Sequence, residues 1–407
     1  YNTPSMETKR NFFDLLSLAD VERVHSAVIG WLLSDECEAL AKEERSAVLN
    51  SLFGLPKDRG IYTKAEMRLE WENIDILWIT ESESYGEECW VLENKIKSSQ
   101  HSNQLQKYQG IVKKQFDGVG QHYTYLTVIG EPAKKIQGGS EYHNYTYGCL
   151  VKELEAYFSD AQSARNADWI IANEYFKAIQ QMTKVTETFL SAPANFRRVF
   201  EDGNKGMETK FKGYEGKTLN DDEMYIASRG LETLMQKYYL FDVIKEVVEE
   251  LNDPRIKSWH VDESRGNADM GFHFENYFGR KNDDHGDHFD IAFQAGTFKF
   301  AVSYMYWKPE TSQESVKRSF REGWEDIFSA LKKEYKCTQI NRGKSRSRIA
   351  VCYPICIEKE EGEVTKKWYE LPRQKFVSIL KSEVMKALEM RSKAIRMYEE
   401  KMKTKGE

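Results

Sequence analysis

The sequence predicts an α/β fold over residues 1–190 and an α+β fold over residues 191–407. Three observations carry this reading. In the first part, short runs rich in Ile, Val, Trp and Tyr are interleaved with segments of helical periodicity. The stretch "SAPANFRRVFEDGNKGMETKFKGYEGKTLND", Ser191 to Asp221, then breaks the texture with polar and glycine-containing sequence. Beyond it several strand-like runs follow one another, two of them joined by the hairpin signal Ala295-Gly296-Thr297.

Residues 11–33 place Leu15, Leu16, Leu18, Val21, Val24, Val28, Ile29 and Leu32 at helical spacing and predict a helix. "MRLEWENIDILWI", residues 67–79, predicts one or two strands, and residues 81–88 a polar turn carrying Tyr85-Gly86. The next strand covers residues 89–96. A helix follows over 100–116, a strand over 123–129 and a helix over 169–190. In the second part a helix over 222–252 precedes strands at 256–261, 269–275, 288–294 and 298–307. A helix over 312–335, a strand over 349–355 and a long charged helix over 373–403 complete the order.

A chain of 407 residues suggests two or three domains. Hydrophobic residues at 40% and aromatics at 13% are enough for packed cores and exclude wholesale disorder. The net charge of −6 gives no overall basic footprint, so any nucleic-acid contact has to come from local patches. No apolar run approaches the roughly 18 residues of a membrane span, and Tyr1-Asn2-Thr3-Pro4 opens no signal-peptide core. The six cysteines are scattered without a C-x-x-C pair. They read as free thiols of a reducing compartment, so a cytoplasmic location without membrane association is expected.

The strand "VLENKI" poses a physical problem. Residues two apart in a strand share a face, so Glu93 and Lys95 point with Val91, and Leu92, Asn94 and Ile96 point to the other side. Charges in an apolar strand need partners. The preceding run, Ile74 to Ile79, holds Asp75 as its one charge. If the two strands pair as a hairpin, Asp75 lies beside Glu93. Two carboxylates at one spot repel unless a cation sits between them. Few, close oxygen ligands suit Mg²⁺ or Mn²⁺, which fill their remaining positions with water and phosphate. A lysine beside such an ion can orient or help deprotonate an attacking water. The ordinary alternative is a cross-strand salt bridge at a sheet edge.

Asp75 and Glu93-Asn94-Lys95, separated by a turn, resemble the signature of the PD-(D/E)XK nuclease superfamily. Gln104-Leu105-Gln106-Lys107-Tyr108 is similar to the Q-x-x-x-Y helix motif of its RecB-like members, and "ENKI…QLQKY" resembles a bacterial branch in particular. Glu22-Arg23-Val24-His25 is similar to the N-terminal glutamate of many such enzymes. The resemblance covers residues 11–190; Ile74 stands where the signature has proline. It implies a restriction-endonuclease-like core, a mixed central sheet flanked by helices. It implies Mg²⁺-assisted (or Mn²⁺-assisted) hydrolysis of phosphodiester bonds, DNA favoured over RNA, and a role in defence or repair. Asp75 and Glu93 would bind the ion, with a Leu92 or Asn94 carbonyl. Lys95 would position the water and stabilise developing charge. Glu22 would orient a metal water or bind a second ion. Gln104 and Tyr108, four residues apart on one helical face, would contact Lys95 or phosphate.

Other candidates are less specific. Lys97, Ser99 and Gln100 stand at a helix entry, where they could touch phosphate or, for serine, cap the helix. "NDDHGDHFD", residues 282–290, reads as a polar turn more readily than as a metal site, with Asp290 as a weak second acidic candidate. The second half of the basic run 332–348, with its glycine and serines, predicts a mobile loop between a helix and a strand, with Arg342, Lys344, Arg346 and Arg348 suited either to a phosphate backbone or to solvent. In the last helix, Phe376, Ile379, Leu380, Val384, Ala387 and Leu388 suit packing or oligomerisation. The second domain would then recognise substrate, a protein partner or another copy of the chain. The rival to an enzyme is a catalytically silent nuclease-like scaffold that binds nucleic acid or protein.

Overall fold

A computed structural model describes residues 11–98, 100, 103–134, 139–159, 166–202, 220–264, 267–278, 286–304, 314–342, 348–357 and 367–405. They divide into two compact units. One lies within Tyr1–Ser191 and Leu219–Leu234, the other within Ala192–Thr218 and Met235–Glu407.

The first unit runs α1 (Phe12–Leu15), α2 (Glu22–Leu32), α3 (Lys42–Leu52), β1 (Lys64–Trp71), β2 (Ile74–Ser82), β3 (Gly86–Lys95), α4 (Gln104–Gln115), β4 (Gly120–Thr127), β5 (His143–Thr146), α5 (Tyr147–Phe158) and α6 (Ala167–Ser191). The strands form one sheet in the order β1-β2-β3-β4-β5. The β1/β2 and β2/β3 pairs are antiparallel, and β3/β4 and β4/β5 are parallel. This is the mixed sheet flanked by helices expected of a restriction-endonuclease-like core.

Local chemistry explains the strand order. Trp71 pairs with Ile74, so Glu72 and Asn73 alone close the first hairpin, both at positive φ (52° and 66°). That is the twist-matched two-residue turn. Gly86, at φ 68°, closes the second. β2 and β3 are apolar on both faces because helices cover both sides. On one face Leu77, Ile79, Cys89 and Val91 pack with Leu105, Tyr108 and Val112 of α4. On the other, Trp78 donates to the Gly30 carbonyl of α2 at 3.0 Å and Trp90 meets Phe53 at 5.1 Å. The parallel β3–α4–β4 passage brings the end of β3 towards the start of α4.

The N-terminal helix expected over 11–33 is two helices. Ser17 takes a left-handed backbone (φ 58°) and ends the first turn. Leu15 and Leu16 are 63% and 49% exposed, so that part of the apolar pattern marks no core face.

The second unit holds a wholly antiparallel six-stranded sheet in the order β10-β11-β9-β8-β7-β6. These are β6 (Ile256–Ser264), β7 (Asn267–Phe274), β8 (Asp287–Gln294), β9 (Thr297–Tyr304), β10 (Gln339–Arg342) and β11 (Arg348–Pro354). Phe289 and Phe300 on its apolar face meet Trp324 and Phe328 of the helix Glu314–Glu334 at 5.3 and 5.7 Å. The helix expected over 222–252 is broken by Gly230 (φ 62°), whose left-handed cap lets Leu231 N–H reach the Ile226 carbonyl. Within the basic run 332–348, where a helix to 335 and then a loop are expected, Gln339 to Arg342 form strand β10, paired to Cys352 to Ile349; residues 343–347 lie outside the described residues. Among the described residues no helix is long and apolar enough to cross a membrane.

Candidate active site

Ile76 pairs with Leu92, and one further step of this register sets Asp75 opposite Glu93. Both side chains lie on the α4 face of the sheet, as the two-residue period requires. Asp75 Oδ2 accepts the Asn94 backbone N–H at 2.8 Å. Glu93 is fully buried; its Oε1 accepts from Lys95 Nζ at 2.5 Å and from Gln104 Nε2 at 2.8 Å. Gln104 Nε2 also donates to the Tyr108 hydroxyl at 2.8 Å. Four sequence-selected residues, Glu93, Lys95, Gln104 and Tyr108, are thus joined by hydrogen bonds, and Asp75 stands beside them on the Asn94 N–H.

The electrostatics are unbalanced. Burial raises the Glu93 carboxyl, and the Asp75 charge raises it further against the pull of Lys95. Burial likewise raises Asp75, against Lys95 and the Asn94 N–H. Burial disfavours the Lys95 ammonium, but Glu93 and then Asp75 outweigh it, so Lys95 titrates above its ordinary value and stays protonated at neutral pH. Glu93 Oε2 and Gln104 Oε1 are buried with no hydrogen-bond partner. Two carboxylates with one ammonium and orphaned oxygens form a donor set that fits a hard divalent cation. Among the described residues no three His, Cys, Asp or Glu side chains converge on one point. The protein would therefore supply two carboxylates, the remaining positions falling to carbonyl, water or substrate oxygens.

Glu22, whose charge acts on Asp75, Glu93 and Lys95, holds the chain that leaves β3. Its Oε1 accepts the backbone N–H groups of Ile96 (3.0 Å), Lys97 (2.9 Å) and Ser98 (3.0 Å), and the Ser98 hydroxyl reaches both carboxylate oxygens. Burial opposes its charge, yet these donors outweigh burial and hold its carboxyl below the ordinary value. His25 is buried, with Nε2 on the Ala19 carbonyl and Nδ1 on the Tyr175 hydroxyl, each at 3.0 Å. A ring nitrogen facing a carbonyl must carry the proton, so Nδ1 accepts from Tyr175 and the imidazole is neutral.

Lys97 pairs with Asp20, Arg342 with Glu325 and Arg348 with Asp290. Lys344, Arg346 and Ser99 lie outside the described residues, as do residues 282–285. Gln100 is buried; its side chain accepts the Lys134 N–H at 2.7 Å. Asp287 accepts from Trp324 Nε1 at 2.8 Å, and Asp290 is buried against Arg348. A row of imidazoles, His260–His273–His288, crosses β6, β7 and β8 with nitrogens 2.8 Å apart at each step. These nitrogens pair in sequence and do not converge.

Sequence reading passed over Tyr147, Tyr175 and Ser26. An aromatic inside an apolar run looks like core, and only its hydroxyl's partner shows otherwise. Tyr147 donates to Asn94 Oδ1 at 2.8 Å and Ser26 Oγ accepts from Asn94 Nδ2 at 3.1 Å.

Residues 10–182 match the family described as the PD-(D/E)XK nuclease superfamily. The match spans the whole sheet of the first unit and every residue of the Asp75 cluster. No curated protein and no solved structure matches the chain.

Proposed function

We propose that the chain is a metal-dependent nuclease hydrolysing phosphodiester bonds, DNA favoured over RNA, with Asp75, Glu93, Lys95, Gln104 and Tyr108 as its site. One observation supports this above the others. A fully buried carboxylate, Glu93, stands beside the half-buried Asp75 at the end of paired strands, and Glu93 keeps an oxygen with no partner. A bare salt bridge along β3 explains Lys95 with Glu93 but leaves Asp75 and Glu93 Oε2 unexplained.

Asp75 and Glu93 would hold Mg²⁺ or Mn²⁺. Such an ion supplies Lewis acidity towards a phosphodiester and a lowered pKa for bound water. Lys95 remains an ammonium, so it donates: it orients a water and offsets negative charge growing on phosphate. Gln104 fixes the Glu93 carboxylate through Nε2, and Tyr108 fixes Gln104 in turn. Glu22 holds the chain that leaves β3 and so sets the direction of Lys95. Lys97 and the basic run at 342–348 remain candidates for backbone phosphate contact.

The test is cleavage of plasmid, linear and single-stranded DNA, and of RNA, with Mg²⁺ or Mn²⁺, by wild type beside Lys95→Ala. Metal-dependent cleavage that the substitution abolishes supports the enzyme, and the preferred substrate reports strandedness. An inert wild type that still binds nucleic acid supports the scaffold instead.

A further inference from the structure

We infer that Tyr147, acting through Asn94, is a positioning residue for the Asp75/Glu93 pair; this rests on the cation-site reading above. Asn94 sits between Glu93 and Lys95 in β3 but projects to the opposite face, where it is fully buried. Its backbone N–H holds Asp75 Oδ2 at 2.8 Å. Its side-chain nitrogen faces the Glu22 carbonyl and Ser26 Oγ, each at 3.1 Å. A group facing a carbonyl must donate, so the amide orientation is fixed and Oδ1 accepts the Tyr147 hydroxyl at 2.8 Å.

One residue therefore grips Asp75 with its backbone and ties β3 to α2 and α5 with its side chain. The anchor is itself held. Tyr147 is fully buried at the start of α5, and the His25 ring stands edge-on to it at 5.4 Å. His25 is fixed from both sides by Ala19 and Tyr175. The Glu93 and Lys95 side chains leave the strand immediately before and after this anchored residue, and Asp75 is bonded to it directly. A loosened Asn94 frees all three at once. Groups that orient metal ligands in this way change metal affinity or activity by about 10–100-fold when removed. A tyrosine that merely fills the core would affect stability alone.

The experiment titrates Mn²⁺ into the full chain as wild type, Tyr147→Phe, Asn94→Ala, the double variant and Glu93→Gln, and measures kcat and KM for DNA cleavage below each variant's melting temperature. Tyr147→Phe is expected to weaken Mn²⁺ about tenfold and to lower kcat with KM unchanged. In the Asn94→Ala background the same substitution is expected to add nothing, because the hydroxyl acts through that amide. Ser26→Ala, which removes another anchor of Asn94, keeps the test open if Tyr147→Phe does not fold; it is expected to weaken Mn²⁺ in the same direction. Loss of binding in Glu93→Gln with unchanged affinity and kcat in Tyr147→Phe overturns this inference and leaves the cation site standing. Mn²⁺ affinity unchanged in Glu93→Gln, or no binding to wild type, overturns the cation site and this inference with it.

Discussion

Asp75 and Glu93 face each other across β2 and β3, yet they are served unequally: Glu93 Oε1 takes Lys95 and Gln104, and Asp75 takes one backbone N–H. The pair is held together by the fold against its own repulsion. Asp75→Asn removes one charge, keeps an oxygen for the Asn94 N–H and changes little volume. The metal-free variant should be more stable than wild type by on the order of 1 kcal/mol at pH 8. Mn²⁺ should raise the melting temperature of wild type and not of the variant. Thermal unfolding with and without Mn²⁺ checks both statements; a destabilised variant that Mn²⁺ still protects would refute them.

Gln104 and Tyr108 should differ in weight. Gln104 bonds Glu93 directly, whereas Tyr108 reaches it only through Gln104. Gln104→Ala is expected to lower activity about 10–100-fold, and Tyr108→Phe to cost several-fold less. Steady-state cleavage rates of the two variants decide; a larger loss in Tyr108→Phe would assign the hydroxyl a contact of its own with substrate.

Glu22 should act on the backbone. Its carboxylate holds three consecutive N–H groups after β3, so Glu22→Gln weakens charge-assisted bonds worth about 1–3 kcal/mol. Amide hydrogen exchange at Ile96, Lys97 and Ser98 should accelerate in the variant while exchange in β2 stays slow. Unchanged exchange at these three amides would count against this role.

Acid should weaken the fold through His25. Burial pushes its pKa down to about 4, against an ordinary 6.5. The unfolded chain therefore takes up a proton that the folded chain refuses. Stability is fully present above about pH 6.5 and falls as pH drops towards 4, by up to roughly 3 kcal/mol for this group. His273, half-buried and flanked by His260 and His288, is also pushed down to about 4, first by burial and then by those neighbours, and adds to the loss. Urea unfolding at pH 7 and pH 4.5 should show the drop, and His25→Asn should be less stable at pH 7 but less sensitive to acid.

Much of the site could be read from sequence because its signal is local. Asp75 is the one charge in an apolar run, Glu93 and Lys95 share a strand face, and Gln104 and Tyr108 are one helical turn apart. The β2/β3 hairpin follows from the same alternation. Other elements left no such mark. In α3 the buried side includes Arg45, Ser46 and Asn50, so polar residues occupy core positions and erase the periodicity. β5 has four residues, too few to show alternation. Tyr147 is indistinguishable from a core aromatic until its partner, 53 positions away in the chain, is known. Glu22 is marked by its helix position, but its bonds to the backbone of Ile96, Lys97 and Ser98, 74 to 76 positions away in the chain, leave no trace in the local pattern. In the second unit, strand β10 went unread because its four residues, Gln339 to Arg342, are too few to show alternation and its pairing partner comes later.

The most direct measurement is the rate of DNA cleavage with and without Mg²⁺ by wild type and by Glu93→Gln, which keeps the shape of the side chain and removes its charge. The account predicts that wild type cuts only with the metal and that the variant loses at least about a thousandfold, on the order of 4 kcal/mol of transition-state stabilisation. A variant that cuts as fast as wild type, or a wild type that cuts equally well in chelator, would contradict it.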